Sequence, residues 1–229
     1  MRTDIITIGE FFHVYNRGVE KRPIFMDDHD RERFLLSMFV LRHNKSFHHP
    51  IRPLAPQYLS IQDIQIQSSN ITTLNKISNK IKQIEEMYLF KEKLVEIIAF
   101  CLMNNHFHLM LKEISRNGIS KYMHRFGTSY TKYFNTRYER TGHLLGSRFK
   151  AEHVDRNEYL TYLSRYIHTN PKKILSSNNN LSDYKWSSYP DYIKENRWGE
   201  ALQTDIVLNQ FFNKQEYKNY VESVSEVRL

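Results

Sequence analysis

The sequence is poor in glycine, proline and cysteine, and each shortage argues against a class of protein. Its 229 residues include 7 glycines and 6 prolines, and they contain neither a G-x-G-x-x-G nor a G-x-x-x-x-G-K-[ST] motif. A glycine-rich nucleotide-binding loop is therefore not expected. The single cysteine, Cys101, cannot form an internal disulfide. It lies in an apolar run, which predicts a buried, inert thiol, and a reducing cytoplasm is consistent with that prediction.

Long apolar runs are also missing. No stretch of the sequence is apolar over the length that a membrane span needs. Residues 1–10 lack the pattern of a secretory signal. We therefore expect a cytoplasmic protein with no membrane partner.

Aromatic and basic residues are abundant. The chain has 15 tyrosines and 14 phenylalanines, and 33 Lys+Arg against 25 Asp+Glu give a formal net charge of +8. Cations can contact phosphates and rings can stack on unpaired bases, so this composition favours a nucleic-acid partner. A soluble protein that merely happens to be basic is the alternative.

Two histidines one residue apart, His106 and His108, lie within a strand-like apolar stretch. Residues i and i+2 of a strand point to the same face, so both imidazoles can approach one point while Phe107 points to the other face. Two imidazoles on one strand supply half of a metal site. The alternative is a strand whose two polar positions happen to be histidine.

The apolar pattern predicts alternating strands and helices along the chain. Strands are expected over residues 11–16, 94–102, 106–112 and 147–154, and helices over 30–42, 71–88, 118–138 and 159–170. The intervening segment 43–70 is rich in proline and polar residues, which is typical of a surface insertion or loop. Five cations are candidates for contacts with phosphates. They lie just after the first strand, on the polar side of the 118–138 helix and on the 147–154 strand, and they are Arg17, Arg125, Lys132, Arg148 and Lys150.

The predicted helix that ends before Pro171 carries a second candidate pair. Tyr166 and Asn170 are one turn apart and project side by side. An amide oxygen is a ligand suited to Mg or Mn. A tyrosine can act as a nucleophile when its phenolate is stabilised and the electrophile is polarised. A partly buried helix tyrosine without a catalytic role is the alternative for Tyr166.

An ordered series of motifs resembles a known family. The segment Met103-Asn-Asn-His-Phe-His-Leu-Met110 has a His-Val-Tyr-Asn-Arg-Gly strand before it, and Tyr166-Ile-His-Thr-Asn-Pro171 and Trp186-Ser-Ser-Tyr189 after it. Together they resemble the single-tyrosine insertion-sequence transposases of the HUH (His-hydrophobe-His) endonucleases, and above all the REP-associated tyrosine transposases. Leu145-Gly-Ser-Arg-Phe149 resembles a further family motif, with leucine where tryptophan is frequent.

The resemblance implies a fold, a site and a reaction. The fold would be α+β, a ferredoxin-like or palm-like antiparallel sheet with helices on one face. His106, His108 and Asn170 would bind Mg or Mn, with Asn170 where minimal members use glutamine. Tyr166 would attack single-stranded or hairpin DNA, leaving a 5′-phosphotyrosine and a free 3′-OH. Because that linkage conserves the bond energy, no nucleotide cofactor would be needed.

The resemblance also suggests how the chain is organised. Residues 1–190 would form the transposase domain, with an insertion at about 43–92, and residues 191–229 would form a C-terminal accessory tail. A homodimer and a monomer are both compatible with the family. Two other functions remain open, namely a DNA-binding protein of the same fold without cleavage activity and a metal-dependent hydrolase.

Overall fold

The computed structural model describes residues 6–44, 71–88, 92–176 and 180–223. Four strands are present in these ranges: β1 Phe11–Arg17, β2 Val95–Leu102, β3 His106–Glu113 and β4 Lys150–Val154. The longer helices are α1 Asp28–Val40, α2 Ile71–Tyr88, α3 Gly118–Arg137 and α4 Asn157–Thr169, followed by the shorter α5 Tyr189–Ile193, α6 Asp205–Leu208 and α7 Lys214–Glu222. These elements fall close to the predicted ones, although β4 starts three residues later than expected.

The four strands form one antiparallel sheet in the order β2-β3-β1-β4. With α1 between β1 and β2, and α3 between β3 and β4, this is the β-α-β-β-α-β arrangement of ferredoxin-like folds. The predicted α+β class with an antiparallel sheet is therefore confirmed.

Helices cover both faces of the sheet, whereas helices on one face were expected. Phe12, Val14 and Phe107 lie in a core with α1, α2 and α3. On the other face, Met110 packs in a second core with Leu163 of α4. The expected layer of core helices is present, and α4 with the C-terminal helices adds a layer over the face that carries the histidines.

The C-terminal residues pack against α4 rather than standing apart from it. Tyr217 and Val221 of α7 are fully buried in the same core as Leu160 of α4. The Trp186-Ser-Ser-Tyr segment lies along β2, where the Ser188 hydroxyl accepts a hydrogen bond from the Phe100 amide at 2.9 Å. Residues 181–222 thus help to hold α4 on the sheet.

The predicted insertion at about 43–92 falls largely on residues 45–70 and 89–91, which lie outside the described residues. Its helical part, α2, packs its apolar side chains into the first core, including Leu74, Ile77 and Ile81. Within the described ranges, no helix has both the length and the apolar character that crossing a membrane requires.

Candidate active site

The candidate site is built on the face of the sheet that α4 covers. Cross-strand partners share a face, and here β1 lies between β3 and β4. Arg17 is paired with His106, and Tyr15 is paired with both His108 and Lys150. The next row brings His13 beside Glu152. The rings of His106 and His108 lie 5.1 Å apart and nearly perpendicular, so the predicted common orientation is confirmed.

Each of the two histidines has its Nδ1 engaged. Nδ1 of His106 donates to Oδ1 of Asn105 at 2.7 Å, and the same amide donates from Nδ2 to the Lys21 carbonyl at 2.8 Å, which fixes its orientation. Nδ1 of His108 lies 2.9 Å from Nε2 of His13. In both rings Nε2 is thereby the nitrogen left to face a ligand.

The surroundings keep both imidazoles neutral. Burial, together with the positive charges of Arg17 and Lys173, lowers the pKa of His106 to about 4. Burial also holds the pKa of His108 well below its usual value, and the neighbouring His13 and His106 add to this effect. A neutral imidazole is the form that binds metal ions, so neither ring needs to lose a proton at neutral pH.

Helix α4 brings Tyr166 close to His108, although the two residues are 58 positions apart in the sequence. Its ring centroid lies 5.4 Å from that of His108 and 5.9 Å from that of His13, both in edge contact. Burial raises the pKa of the Tyr166 phenol, and a hydrogen bond from the Asn170 side chain opposes that effect. The phenol is therefore protonated at rest.

Asn170 ends α4 and is nearly fully buried. Its Nδ2 donates to the Tyr166 carbonyl at 2.9 Å. With Nδ2 committed to this bond, Oδ1 is the atom of the amide that can offer a lone pair to a cation. The predicted neighbourhood of Tyr166 and Asn170 is present.

Lys173 is a site residue that sequence reasoning missed. Its Nζ lies 5.7 Å from the centroid of the Tyr166 ring, and its charge lowers the pKa of both His106 and His108. The lysine follows α4 by one turn. Lys173 follows Tyr166 by seven residues, which is about two helical turns. This spacing is the signal that could have identified it from the sequence.

His13, Tyr15 and Glu152 were also missed. The Tyr15 hydroxyl donates to Glu152 Oε1 at 2.6 Å, and Glu152 Oε2 lies 3.8 Å from His13 Nδ1. The contact with His13 and the hydrogen bond from Tyr15 lower the pKa of Glu152 to about 2, so this carboxylate is ionised. The alternation His13-x-Tyr15 places both on one face, but their register against β3 was needed to locate them.

The five predicted DNA-contacting cations divide into two groups. Arg17 and Lys150 lie on the histidine face, and exposed Arg148 lies in the adjoining loop, where the Ser147 carbonyl accepts a hydrogen bond from Asn16 of β1. Arg125 and Lys132 lie on α3, across the sheet. The Arg125 guanidinium donates to the His43 carbonyl at 2.7 Å, which links α3 to the chain after α1.

The types of donor atom at this site suit a divalent cation. His106 and His108 offer imidazole nitrogens and Asn170 offers an amide oxygen, which together suit Mn and similar ions. No cluster of three or more His, Cys, Asp or Glu side chains among the described residues is arranged to hold a metal. A metal site here therefore requires the Asn170 oxygen, or oxygens of the substrate, in addition to the two histidines.

Part of the chain matches a known protein family. Residues 65–170 match the family described as "Transposase IS200 like", and the matched range contains His106, His108, Tyr166 and Asn170. The family expected from the motifs is thus the one whose model matches this part of the chain, and the match supports a transposase-like function. Transposases of this family generally use a divalent metal.

One solved structure is similar across most of the chain. It is that of a REP-associated tyrosine transposase bound to a REP hairpin. It matches with a TM-score of 0.46 and 12% sequence identity, covering 90% of this chain and 92% of that chain. No curated protein matches the sequence.

Proposed function

We propose that this chain, matched by the IS200-like transposase family, cleaves and rejoins single-stranded DNA at hairpins, with Tyr166 as the nucleophile. The observation that carries the proposal is the edge contact of the Tyr166 ring with His108, beside His106 and beneath the charge of Lys173. On one face of the sheet, this contact brings together the side chains that would serve as the nucleophile, two neutral metal ligands and a cation.

The reaction forms a bond between the Tyr166 oxygen and the scissile phosphorus and breaks the bond from phosphorus to the 3′ oxygen. The phenol loses its proton, and the departing 3′ oxygen gains one. The product is a 5′-phosphotyrosine, and attack by another 3′-OH reverses the step and joins a strand without a nucleotide cofactor.

Each part of the site has a distinct task in this proposal. His106, His108 and Asn170 would hold Mg or Mn, which when bound neutralises charge on the non-bridging phosphate oxygens. Lys173 stabilises the Tyr166 phenolate as the proton leaves and also contacts a phosphate of the substrate. Arg17, Arg148 and Lys150 hold the flanking phosphates by charge rather than by reading bases.

The proposed site is complete within one chain. Tyr166 contacts His13 and His108 of its own sheet, and α7 packs α4 in place. We therefore propose that a monomer can carry out cleavage, while a homodimer would contain two such sites.

The Tyr166→Phe variant tests the proposal against its binding-only alternative. Incubation of wild-type protein with a labelled hairpin oligonucleotide and Mn²⁺ should give a covalent complex that survives denaturing electrophoresis. Tyr166→Phe should abolish this complex and retain DNA binding, because the ring and its packing remain. Tyr162→Phe, one turn earlier on α4, is the matched control and should form the complex normally.

Two outcomes would contradict the proposal. A wild-type protein that binds the hairpin but cuts no oligonucleotide with any divalent metal would favour DNA binding without cleavage. Release of cleaved DNA with no covalent complex would favour a metal-dependent hydrolase.

A further inference from the structure

We infer that His13 and Glu152 are positioning residues that fix the proton of His108 on Nδ1 and so keep its Nε2 available to a metal ion. The inference rests on the proposed metal-binding role of His108. Its physical basis, the hydrogen bond between two buried imidazoles, is independent of any bound ion.

The contact between Nε2 of His13 and Nδ1 of His108 measures 2.9 Å, and both side chains are almost entirely buried. A hydrogen bond between two neutral imidazoles has two arrangements. Either His108 donates from Nδ1 to His13, or His13 donates from Nε2 to His108. In the second arrangement, the proton of His108 sits on Nε2 and blocks that nitrogen as a ligand.

Glu152 decides between the two arrangements. Its Oε2 lies 3.8 Å from Nδ1 of His13, longer than a hydrogen bond but within ion-pair range, and that buried nitrogen makes no hydrogen bond to any of the described residues. If His108 donates to His13, the His13 proton sits on Nδ1 and faces the carboxylate. If His13 donates from Nε2, the lone pair of its Nδ1 faces the same negative charge, which is unfavourable.

The carboxylate is itself held in place. Oε1 of Glu152 accepts a hydrogen bond from Tyr15 at 2.6 Å, and the ring of Tyr15 stacks on that of His13 with centroids 4.7 Å apart. The chain of contacts from Glu152 through His13 to His108 thus links β4, β1 and β3. A carboxylate–histidine contact behind a metal-binding histidine commonly sets the ring's orientation and tautomer.

Nitrogen-15 NMR of the metal-free protein tests this inference directly. The wild-type spectrum should show His108 protonated on Nδ1. In His13→Leu and in Glu152→Leu, the His108 signal should shift towards a mixture of both tautomers. The second variant changes a half-exposed side chain, so it reports even if the buried substitution disturbs folding. A wild-type His108 protonated on Nε2 would overturn the inference.

Mn²⁺ titration by calorimetry provides the second readout. His13→Leu should bind Mn²⁺ about 10- to 100-fold more weakly than wild type. His13→Gln, which can still accept a hydrogen bond from His108, should recover much of this loss. The matched control is His153→Leu, which removes a histidine that is paired with Glu10 at 3.0 Å and is not part of this chain of contacts. Its affinity should equal that of wild type. Equal losses in His13→Leu and His13→Gln would contradict the inference.

These two readouts separate the inference from the proposed function. If wild-type protein binds no Mn²⁺, the proposed metal site is wrong, yet the tautomer of His108 still confirms or refutes the role of His13 and Glu152. If Mn²⁺ binds and the tautomer does not depend on His13, the inference is wrong and the proposed site stands.

Discussion

At the scale of single residues, the site depends on which atom each side chain presents. His106 and His108 each have Nδ1 engaged, and Asn170 has Nδ2 engaged with the Tyr166 carbonyl. The atoms that can still offer a lone pair to a cation are two imidazole nitrogens and one amide oxygen. The amide of Asn170 is neutral, so it would hold a cation less strongly than a carboxylate at the same position.

Two variants of Asn170 test its role as the third ligand. Asn170→Asp and Asn170→Leu both lose the Nδ2 donor to the Tyr166 carbonyl, so they share that structural cost. Asn170→Asp keeps an oxygen and adds charge, and its Mn²⁺ affinity should match or exceed that of wild type. Asn170→Leu should bind at least about 10-fold more weakly, within the usual cost of perturbing a metal site. Equal Mn²⁺ affinities of the two variants, measured by calorimetry, would remove Asn170 from the ligand set.

At the scale of elements, α4 is held on the sheet by a buried polar cluster on the side away from the nucleophile. His168 is fully buried, with Nδ1 2.7 Å from the Tyr217 hydroxyl of α7 and Nε2 2.7 Å from the Ser188 hydroxyl. Ser188 in turn hydrogen-bonds the backbone of β2. Helix α7 and the Trp186-Ser-Ser segment therefore set the position of Tyr166 and Asn170, although neither reaches the site.

The buried His168 makes stability depend on pH. Burial lowers the pKa of His168 to about 3, while an unfolded chain has a value near 6.5. Between these values the unfolded state binds more protons, so the stability contributed by neutral His168 is complete above pH 6.5 and falls as the pH drops towards 3. Linkage predicts a loss of about 2 kcal/mol in the free energy of unfolding between pH 7.5 and pH 5.

Urea unfolding of wild type and His168→Gln at these two pH values isolates the effect. The variant should be less stable at pH 7.5, because its cluster is disrupted, and its further loss at pH 5 should be about 2 kcal/mol smaller than that of wild type. An identical pH dependence of wild type and His168→Gln would contradict the account.

The elements differ in how well the sequence predicted them. The alternation of residues around Phe107 was sufficient to predict β3, and the apolar stripe of α3 was sufficient to predict that helix. Such periodic patterns are local properties of the chain. The strand order and the placement of α4 over the histidine face did not follow from the residue pattern, since they depend on contacts between distant residues. Only the family resemblance implied that Tyr166 and Asn170 join the histidines. The same reason explains why His13 and Glu152 were missed, as their roles follow from the register of β1 against β3 and β4.

At the scale of the whole molecule, net charge alone does not locate the DNA. Candidate cations lie on both faces of the sheet, with Arg125 and Lys132 on one and Arg17 and Lys150 on the other. The second pair, with Arg148 and Lys173, borders the candidate site. We expect the phosphates of the substrate to lie along this second group.

The salt dependence of binding tests this placement. Four phosphate contacts on single-stranded DNA predict a slope of about −3 when the logarithm of the association constant is plotted against that of salt concentration. Lys173→Ala should reduce the size of the slope by about 0.7. Lys80→Ala, an exposed lysine on α2, should leave it unchanged. Fluorescence anisotropy measures both, and equal slopes for Lys173→Ala and wild type would place the DNA elsewhere.

The most direct test of the central claim is to identify the residue that carries the DNA. After reaction with a hairpin oligonucleotide and Mn²⁺, nuclease trimming and trypsin digestion should be followed by tandem mass spectrometry. Trypsin cuts after Arg156, Arg165 and Lys172, so Tyr159 and Tyr162 leave in one peptide and Tyr166 in the next. If Tyr166 is the nucleophile, the peptide 166–172 should carry a phosphodeoxynucleotide. The same mass on the peptide 157–165 would contradict it.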